Sequence, residues 1–398
     1  MLPAGAPLSD WLTWLETLSP NEIDLGLDRV HDVLGRLSLR RPEHVLLIAG
    51  TNGKGSSVAM TGALLRAAGL RVGAYTSPHV IDYNERIAVD GRFASDDDIV
   101  AAFESIEAVR NEVPLTYFEY GTLAALVLFA RAGLDVWVLE VGMGGRLDAT
   151  NAIEPTAALI TNVALDHCDW LGEDVETIAA EKAGVMRPGI PVVYGGAPVP
   201  EAIVSRAAEI GATLLLRDRD YALDGVPQPG LAGDFQVGNA AAVLALLQAA
   251  GIKAAVDPEL VRRVLPEVRL TGRSQRVEQD GVEWLLDVAH NPAAAQALAN
   301  LLESAAREGT TTALVGLLDD KDVEGVAEAL NPHVDRWIVV AADSHRAIPA
   351  AELGRRIANA CNRPCLIAES MESAIESARR EARINDRILV TGSFYLVG

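Results

Sequence analysis

Nearly continuous apolar runs alternate along this chain with longer amphipathic or alanine-rich stretches. The runs fall at 45–49, 72–75, 136–141, 157–161 and 192–194, and stretches with helical spacing occupy 56–68, 120–132 and 175–186. Strands apolar on both faces, each followed by a helix, predict an α/β fold with a mostly parallel sheet covered on both sides. The pattern breaks twice. Residues 224–238 are rich in Gly and Pro and read as a loop before a helix at 239–250, and residues 269–281 are polar and charged with two glycines. The alternation then restarts, with strands predicted at 284–288, 312–317, 337–340, 365–367 and 387–391. Two α/β domains are expected, a larger one over residues 1–275 and a smaller one over 276–398, with ligands held in a cleft.

Composition agrees with this picture. A chain of 398 residues exceeds one ordinary core, and 49% hydrophobic with 22% charged residues is a globular balance. The net charge of −21, with no run of Lys and Arg, argues against nucleic acid as a partner. Cys168, Cys361 and Cys365 are an odd number in a long chain, which suits a reducing compartment better than a disulfide framework. The N-terminal stretch MLPAGAPLSDWLTWLE has no basic segment leading into an apolar one, and the apolar run at 123–130 stops at Arg131. No membrane partner is expected, and the location expected is cytoplasmic.

The most telling local chemistry is Gly50-Thr51-Asn52-Gly53-Lys54-Gly55-Ser56-Ser57, entered from an apolar strand and left by a helix. Glycines let backbone wrap a phosphate, a helix N-terminus aims N–H groups at it, and Lys54 adds a point charge. The spacing departs from the strict Walker pattern, because Ile48 stands at the first glycine position and Gly55 separates the lysine from the hydroxyls. A glycine turn that only caps a helix is the bland alternative.

Four further blocks each admit two readings. Glu140 ends an apolar strand, where an acid either is solvated or holds Mg²⁺ beside phosphates. The glycine-dense run Gly142 to Asp148 after it indicates backbone crowded against something. Asp166-His167 and Glu181-Lys182 are a structural histidine and a surface lysine, or site residues. Asp287-Val288-Ala289-His290-Asn291-Pro292 reads as an ordinary helix start, or as two ligand-facing groups, with Arg273 upstream able to reach the same nucleotide. The acidic turn from Ile23 to Val30 and the aromatic run Thr116-Tyr117-Phe118-Glu119-Tyr120 suit either packing or an aromatic ligand.

Taken in order, the blocks IDLGLDRV, GTNGKGS, TSPH, LTYFEYGTLAAL, LEVGMGGRLDATN, ALDHCDWLG, EKAGVMRPG, GNAA, GRSQRV, DVAHNP, GLLDDKD and TGSFY span nearly the whole chain. Together they resemble the bacterial bifunctional dihydrofolate synthase/folylpolyglutamate synthases of the Mur ligase superfamily. The resemblance implies a P-loop-type ATP-binding domain followed by a smaller Rossmann-like domain. It also implies ATP-dependent addition of L-glutamate to dihydropteroate and to reduced folates through an acyl phosphate.

By the same resemblance, Thr51, Asn52, Gly53, Lys54, Gly55 and Ser56 would hold ATP, with Asn239, Arg273 and Asp287 completing the nucleotide site. Ser77, Glu140 and His167 would ligate Mg²⁺, with two ions expected. Lys182 would be carbamylated and act with Lys54 and His290 as the catalytic groups. Asp24, Leu25, Gly26, Thr116, Tyr117, Phe118, Glu119, Leu147, Asp148 and Ala149 would hold the pterin. A monomer is expected. The chain departs from the family's usual LPGR in having Leu270-Thr271-Gly272-Arg273.

Overall fold

The computed structural model describes residues 5–18, 24–305 and 307–398. Two compact units emerge. The first comprises residues up to 163 together with 174–227 and 238–268, and the second comprises 164–173, 228–237 and 269–398. Two short segments, 164–173 and 228–237, that are flanked in sequence by the first unit therefore belong with the second.

The first unit holds β1 (His44–Ala49), β2 (Val72–Tyr75), β3 (Ile87–Val89), β4 (Arg92–Phe93), β5 (Val136–Glu140), β6 (Ala157–Ile160), β7 (Pro191–Tyr194) and β8 (Thr213–Leu216). They form one sheet in the order β4-β3-β2-β5-β1-β6-β7-β8, parallel from β2 to β8 with an antiparallel hairpin at one edge. From Val45 onward β1 is wholly buried, as is all of β5, which is why both read as unbroken apolar runs. Because β5 and β6 flank β1, the chain reverses its direction of progression at β1. In α/β sheets ligands bind outside the carboxyl ends of the strands at such a point.

The second unit holds β9 (Gln275–Gln279), β10 (Val282–Leu286), β11 (Thr311–Val315), β12 (Arg336–Val339), β13 (Cys365–Ile367) and β14 (Arg387–Thr391). Their order is β13-β12-β11-β14-β10-β9, with only the edge strand β9 antiparallel. One core gathers Leu285, Leu298, Val315, Trp337 and Leu353, and a second gathers Trp284, Leu314, Ile338 and Ile388. Neighbouring strand residues (Trp284 and Leu285, Leu314 and Val315, Trp337 and Ile338) fall in opposite cores, so each core lies on its own face of the sheet.

The predicted strands are all present. The pattern missed β3, β4 and β9, and it also missed β8. Both overlooked hairpins turn on Asp-Gly: Asp90-Gly91 joins β3 to β4, and Asp280-Gly281 joins β9 to β10, with positive φ at all four residues. Two-residue loops of that kind match the twist of paired strands, so the signal was in the sequence. Helices also start earlier than their apolar faces suggest. The helix Tyr117–Ala132 begins at the capping box of Thr116 and Glu119. Among the described residues no helix is long and apolar enough to cross a membrane.

Candidate functional site

In the first unit the loop after β1 is held by the carboxyl end of its neighbour β6. Thr51 N donates to Asn162 O at 3.0 Å, Asn52 N donates to Asn162 Oδ1 at 2.9 Å, and Thr161 Oγ1 donates to Asn52 O at 2.6 Å. Gly50 has φ +142°, and a Cβ there would lie 1.8 Å from Thr161 Oγ1. Gly53, at φ +84°, presses against Asn239, whose Nδ2 would be 2.9 Å from a Cβ. Both glycines are thus required by conformation and by close approach. The helix Lys54–Ala67 starts at the loop's end, and Lys54 Nζ folds back to donate to Gly50 O and Thr51 O at 3.1 and 3.2 Å. Sequence reasoning passed over Thr161 and Asn162. Their signal was their place just after a buried strand.

Glu140 ends β5 in register with Ile48 of β1, so its carboxylate lies level with the strand that launches the loop. It is only 3% exposed, and Oε2 accepts from Ser77 N at 3.3 Å. Lys182 is equally buried, on the helix Val175–Ala183. A solvated surface lysine is therefore excluded. The glycine run after Glu140 is crowded as expected: a Cβ at Gly142 would meet Phe118 at 2.5 Å, and one at Gly145 would lie 3.1 Å from Lys182 Cα.

The acidic turn and the aromatic run meet through Arg29, a residue of that turn to which the sequence alone assigned no role. Arg29 binds Asp24 Oδ2 at 2.9 Å and Asp24 O at 2.6 Å, and it also donates to Glu119 Oε1 from Nη2 at 3.0 Å. Ile23, first residue of that block, lies outside the described residues. Leu25, Gly26 and Leu147 are half-buried, and Ala149 begins the short turn Ala149–Ala152. Asp148 is the N-cap of that turn and accepts from Met143 N and Thr150 N at 2.9 and 3.0 Å, while burial pushes its carboxyl upward. Tyr117 packs edge-on to Tyr83, and the Arg86 guanidinium lies over both rings. His79 Nδ1 accepts from Arg86 Nε at 2.9 Å, and burial together with that cation lowers His79 to about 4. His79 is consequently neutral at physiological pH.

In the second unit Asp287 follows β10 and is wholly committed. Its Oδ2 accepts from Ser274 N and Oγ at 2.7 and 2.9 Å, and its Oδ1 accepts from Ala289 N at 2.8 Å. Burial raises its carboxyl, against the pull of Arg273. The Arg273 guanidinium lies 5.0 Å from the Phe394 ring centre, and the His290 ring centre lies 6.0 Å from the same ring centre at a tilt of 50°. Asn291 caps the helix Pro292–Ser304, so the ordinary helix-start reading holds for that residue.

Asp166, in the segment that joins this unit, is the hub of a second cluster. Lys321 Nζ lies 2.8 Å from its Oδ1, Asn291 Nδ2 donates to Oδ2 at 2.9 Å, and His290 Nε2 is 3.5 Å from Oδ2. Burial alone would raise this carboxyl, but the hydrogen bond to His290 and the charges of His167, His290 and Lys321 hold it far below the usual range. His167, at φ +52°, turns Nδ1 toward Asp320 at 3.4 Å, and burial lowers its pKa. Sequence reasoning quoted the Asp-Asp-Lys-Asp run at 319–322 without assigning Asp320 or Lys321 a place.

Among the described residues no group of three or more His, Cys, Asp or Glu side chains clusters as a metal site would. The first unit offers a buried carboxylate beside a hydroxyl residue. Those are hard oxygen donors of the kind Mg²⁺ takes, few from protein and the rest from phosphate and water.

Residues 48–189 match the Mur ligase middle domain and 272–394 the Mur ligase glutamate ligase domain. The dihydrofolate synthase/folylpolyglutamate synthase of Escherichia coli K12 is 39% identical, over 99% of this chain and 94% of that protein. The structure of Escherichia coli FolC with DHPP and ADP superposes with a TM-score of 0.92 at 38% identity, covering 100% of this chain and 97% of that one. The Yersinia pestis bifunctional enzyme with AMPPNP and Mn gives 0.92 at 40% identity, covering 100% and 98%. This chain belongs to the Mur ligase family, among its bifunctional dihydrofolate synthase/folylpolyglutamate synthases.

Proposed function

We propose that this chain is an ATP-dependent ligase that adds L-glutamate to dihydropteroate, forming dihydrofolate, and to reduced folates, forming polyglutamates. The observation that carries the reading is the register of Glu140 beside the strand that launches the phosphate-type loop, in a chain alike over its whole length to enzymes of that activity. Related structures hold ADP with DHPP, and AMPPNP with Mn and L-glutamate.

Thr51 to Ser56 hold the ATP phosphates. The N–H groups of Thr51 and Asn52 are tied to Asn162 and fix the loop, while the backbone N–H groups from Gly53 onward and the Lys54 ammonium, which leaves its own loop carbonyls when an anion arrives, meet the anion. Asn239, Arg273 and Asp287 hold the rest of the nucleotide. Mg²⁺, in two ions, offsets the charge of two approaching anions when bound, with Ser77, Glu140 and His167 as its protein ligands. A carbamate on Lys182 would turn a buried cation into an anion suited to that metal.

The chemistry runs in two displacements. A substrate carboxylate oxygen attacks the γ-phosphorus and ADP leaves. The glutamate amine then attacks the acyl carbon, the amide forms and phosphate leaves with the C–O electron pair. Cations fixed in advance stabilise the charge that develops at each step. In its neutral form His290 donates from Nδ1 to Val288 O at 2.8 Å, so Nε2 is the nitrogen that accepts the amine's proton, and the imidazolium then formed is stabilised by the Asp166 carboxylate 3.5 Å away. Asp24, Leu25, Gly26, Thr116, Tyr117, Phe118, Glu119, Leu147, Asp148 and Ala149 hold the pterin. A cytoplasmic monomer is the form we propose.

The test is ADP release with ATP, Mg²⁺ and glutamate, adding dihydropteroate or tetrahydrofolate separately. Turnover with each supports the reading. No turnover with either pterin, or turnover only with a UDP-sugar peptide, overturns it. Glu140→Ala should abolish turnover in a folded protein, and wild-type rates would remove Glu140 from the metal site.

A further inference from the structure

The mechanism gives no work to Asn151 or Arg187, yet both are tied to backbone that carries proposed site residues. Asn151 is 3% exposed. Its Nδ2 donates to Arg146 O at 3.1 Å and to Gly184 O at 3.1 Å. The first carbonyl belongs to the loop that follows Glu140. The second belongs to the C-cap of the helix carrying Lys182. Arg187 Nη2 donates to Asn151 O and Oδ1, both at 3.1 Å, and Arg187 Nη1 donates to Gly184 O and Met186 O at 3.2 Å each. Glu154 holds the outer edge of the same guanidinium at 2.8 Å.

The two strips of backbone joined in this way are in van der Waals contact with nothing between them. Arg146 N donates to Glu181 O at 2.9 Å, and a Cβ on Gly184 would lie 2.3 Å from Arg146 Cβ. Asn151 supplies two N–H groups to two carbonyls and one oxygen to a cation. Among natural side chains of its size, only a primary amide does all three. Aspartate would set a carboxylate against two carbonyl oxygens.

We propose that Asn151, braced by Arg187, is a positioning residue for the ligase reaction. It fixes the spacing between the loop that leaves Glu140 and the helix that carries Lys182. The inference rests on the reading that Lys182 is a working group. It adds that the register of Lys182 is set by an amide whose hydrogen bonds run to protein groups. A shift of about 1 Å in such a group costs about 100-fold in rate.

The test compares Asn151→Asp and Lys182→Ala by steady-state kinetics at a temperature where circular dichroism shows each folded. The expected result is that Asn151→Asp loses about 100-fold in kcat, while KM for ATP and ADP affinity stay at wild-type values because the phosphate loop is untouched. A purely structural asparagine would lower the melting temperature and leave kcat of the folded protein unchanged, and that outcome overturns the proposal. A matching rise in KM for ATP also overturns it. Wild-type rates in Lys182→Ala would defeat the underlying reading instead, whatever Asn151→Asp does. Should Asn151→Asp fail to fold, Arg187→Gln removes the brace from the rim and is judged by the same kcat and KM criteria.

Discussion

Lys321 Nζ lies 2.8 Å from Asp166 Oδ1 across 155 residues of sequence, with both side chains at most 7% exposed. The pair anchors the segment 164–173 in the second unit, and His167 is carried along with it. Losing one partner of a buried pair leaves an uncompensated charge, which costs far more than the pair itself contributes. Lys321→Met should therefore lower unfolding free energy by about 3 kcal/mol. Equilibrium urea unfolding measures it, and a loss below about 1 kcal/mol, the range of a surface pair, would contradict the argument.

Gly50→Ala is a backbone test of the phosphate loop. The new methyl would overlap Thr161 Oγ1 at a φ that side chains rarely adopt. The loop must shift, and ADP affinity should fall by at least about 100-fold, a change of about 3 kcal/mol. Isothermal titration calorimetry reads it directly. Pairing the change with Thr161→Gly, which removes the clashing hydroxyl, should recover part of the affinity.

Arg29 ties the acidic turn to the aromatic helix through Asp24 and Glu119. Arg29→Met should raise KM for dihydropteroate by about 10-fold or more, the worth of one charged hydrogen bond, with KM for ATP unchanged. Initial-rate measurements varying one substrate at a time separate the two. An equal rise for both substrates would mean the change acts on the whole unit.

Glu85 shapes the loop bearing Ser77 and His79 by accepting from Val80 N, Ile81 N and Asp82 N at 2.8, 2.9 and 3.0 Å. Burial opposes its ionisation, but these three amides together hold its carboxyl below the ordinary value. A depressed folded value means its stabilising effect is complete above the ordinary carboxylate range and is lost as pH falls through that range toward the folded value. Stability should thus decline on acidification, and Glu85→Gln should flatten that acid limb. Urea midpoints measured from pH 7 down to about 3 check both, and an identical limb in the variant would exclude Glu85 as a contributor.

Much of the site was legible because its chemistry is local. The loop from Gly50 to Ser57 lies between a strand and a helix within a few residues, so spacing alone exposed it. Glu140 could be flagged because it ends an unbroken apolar run. Lys182 and His167 could not be judged by pattern, since burial of a lone cation or imidazole depends on distant chain. Arg29, Thr161, Asn162 and Lys321 went unassigned for the same reason: each acts on a partner about 90 or more residues away.

By itself the sequence determined the strand–helix alternation, the phosphate loop and the two Asp-Gly hairpins, because these follow from the chirality and periodicity of short stretches of backbone. Only the tertiary structure decided that 164–173 and 228–237 join the second unit, that Asp166 is ionised beside Lys321, and that Asn151 bridges two backbone strips. Those facts depend on which distant groups exclude water around one another, and neither hydrophobic period nor local propensity encodes that.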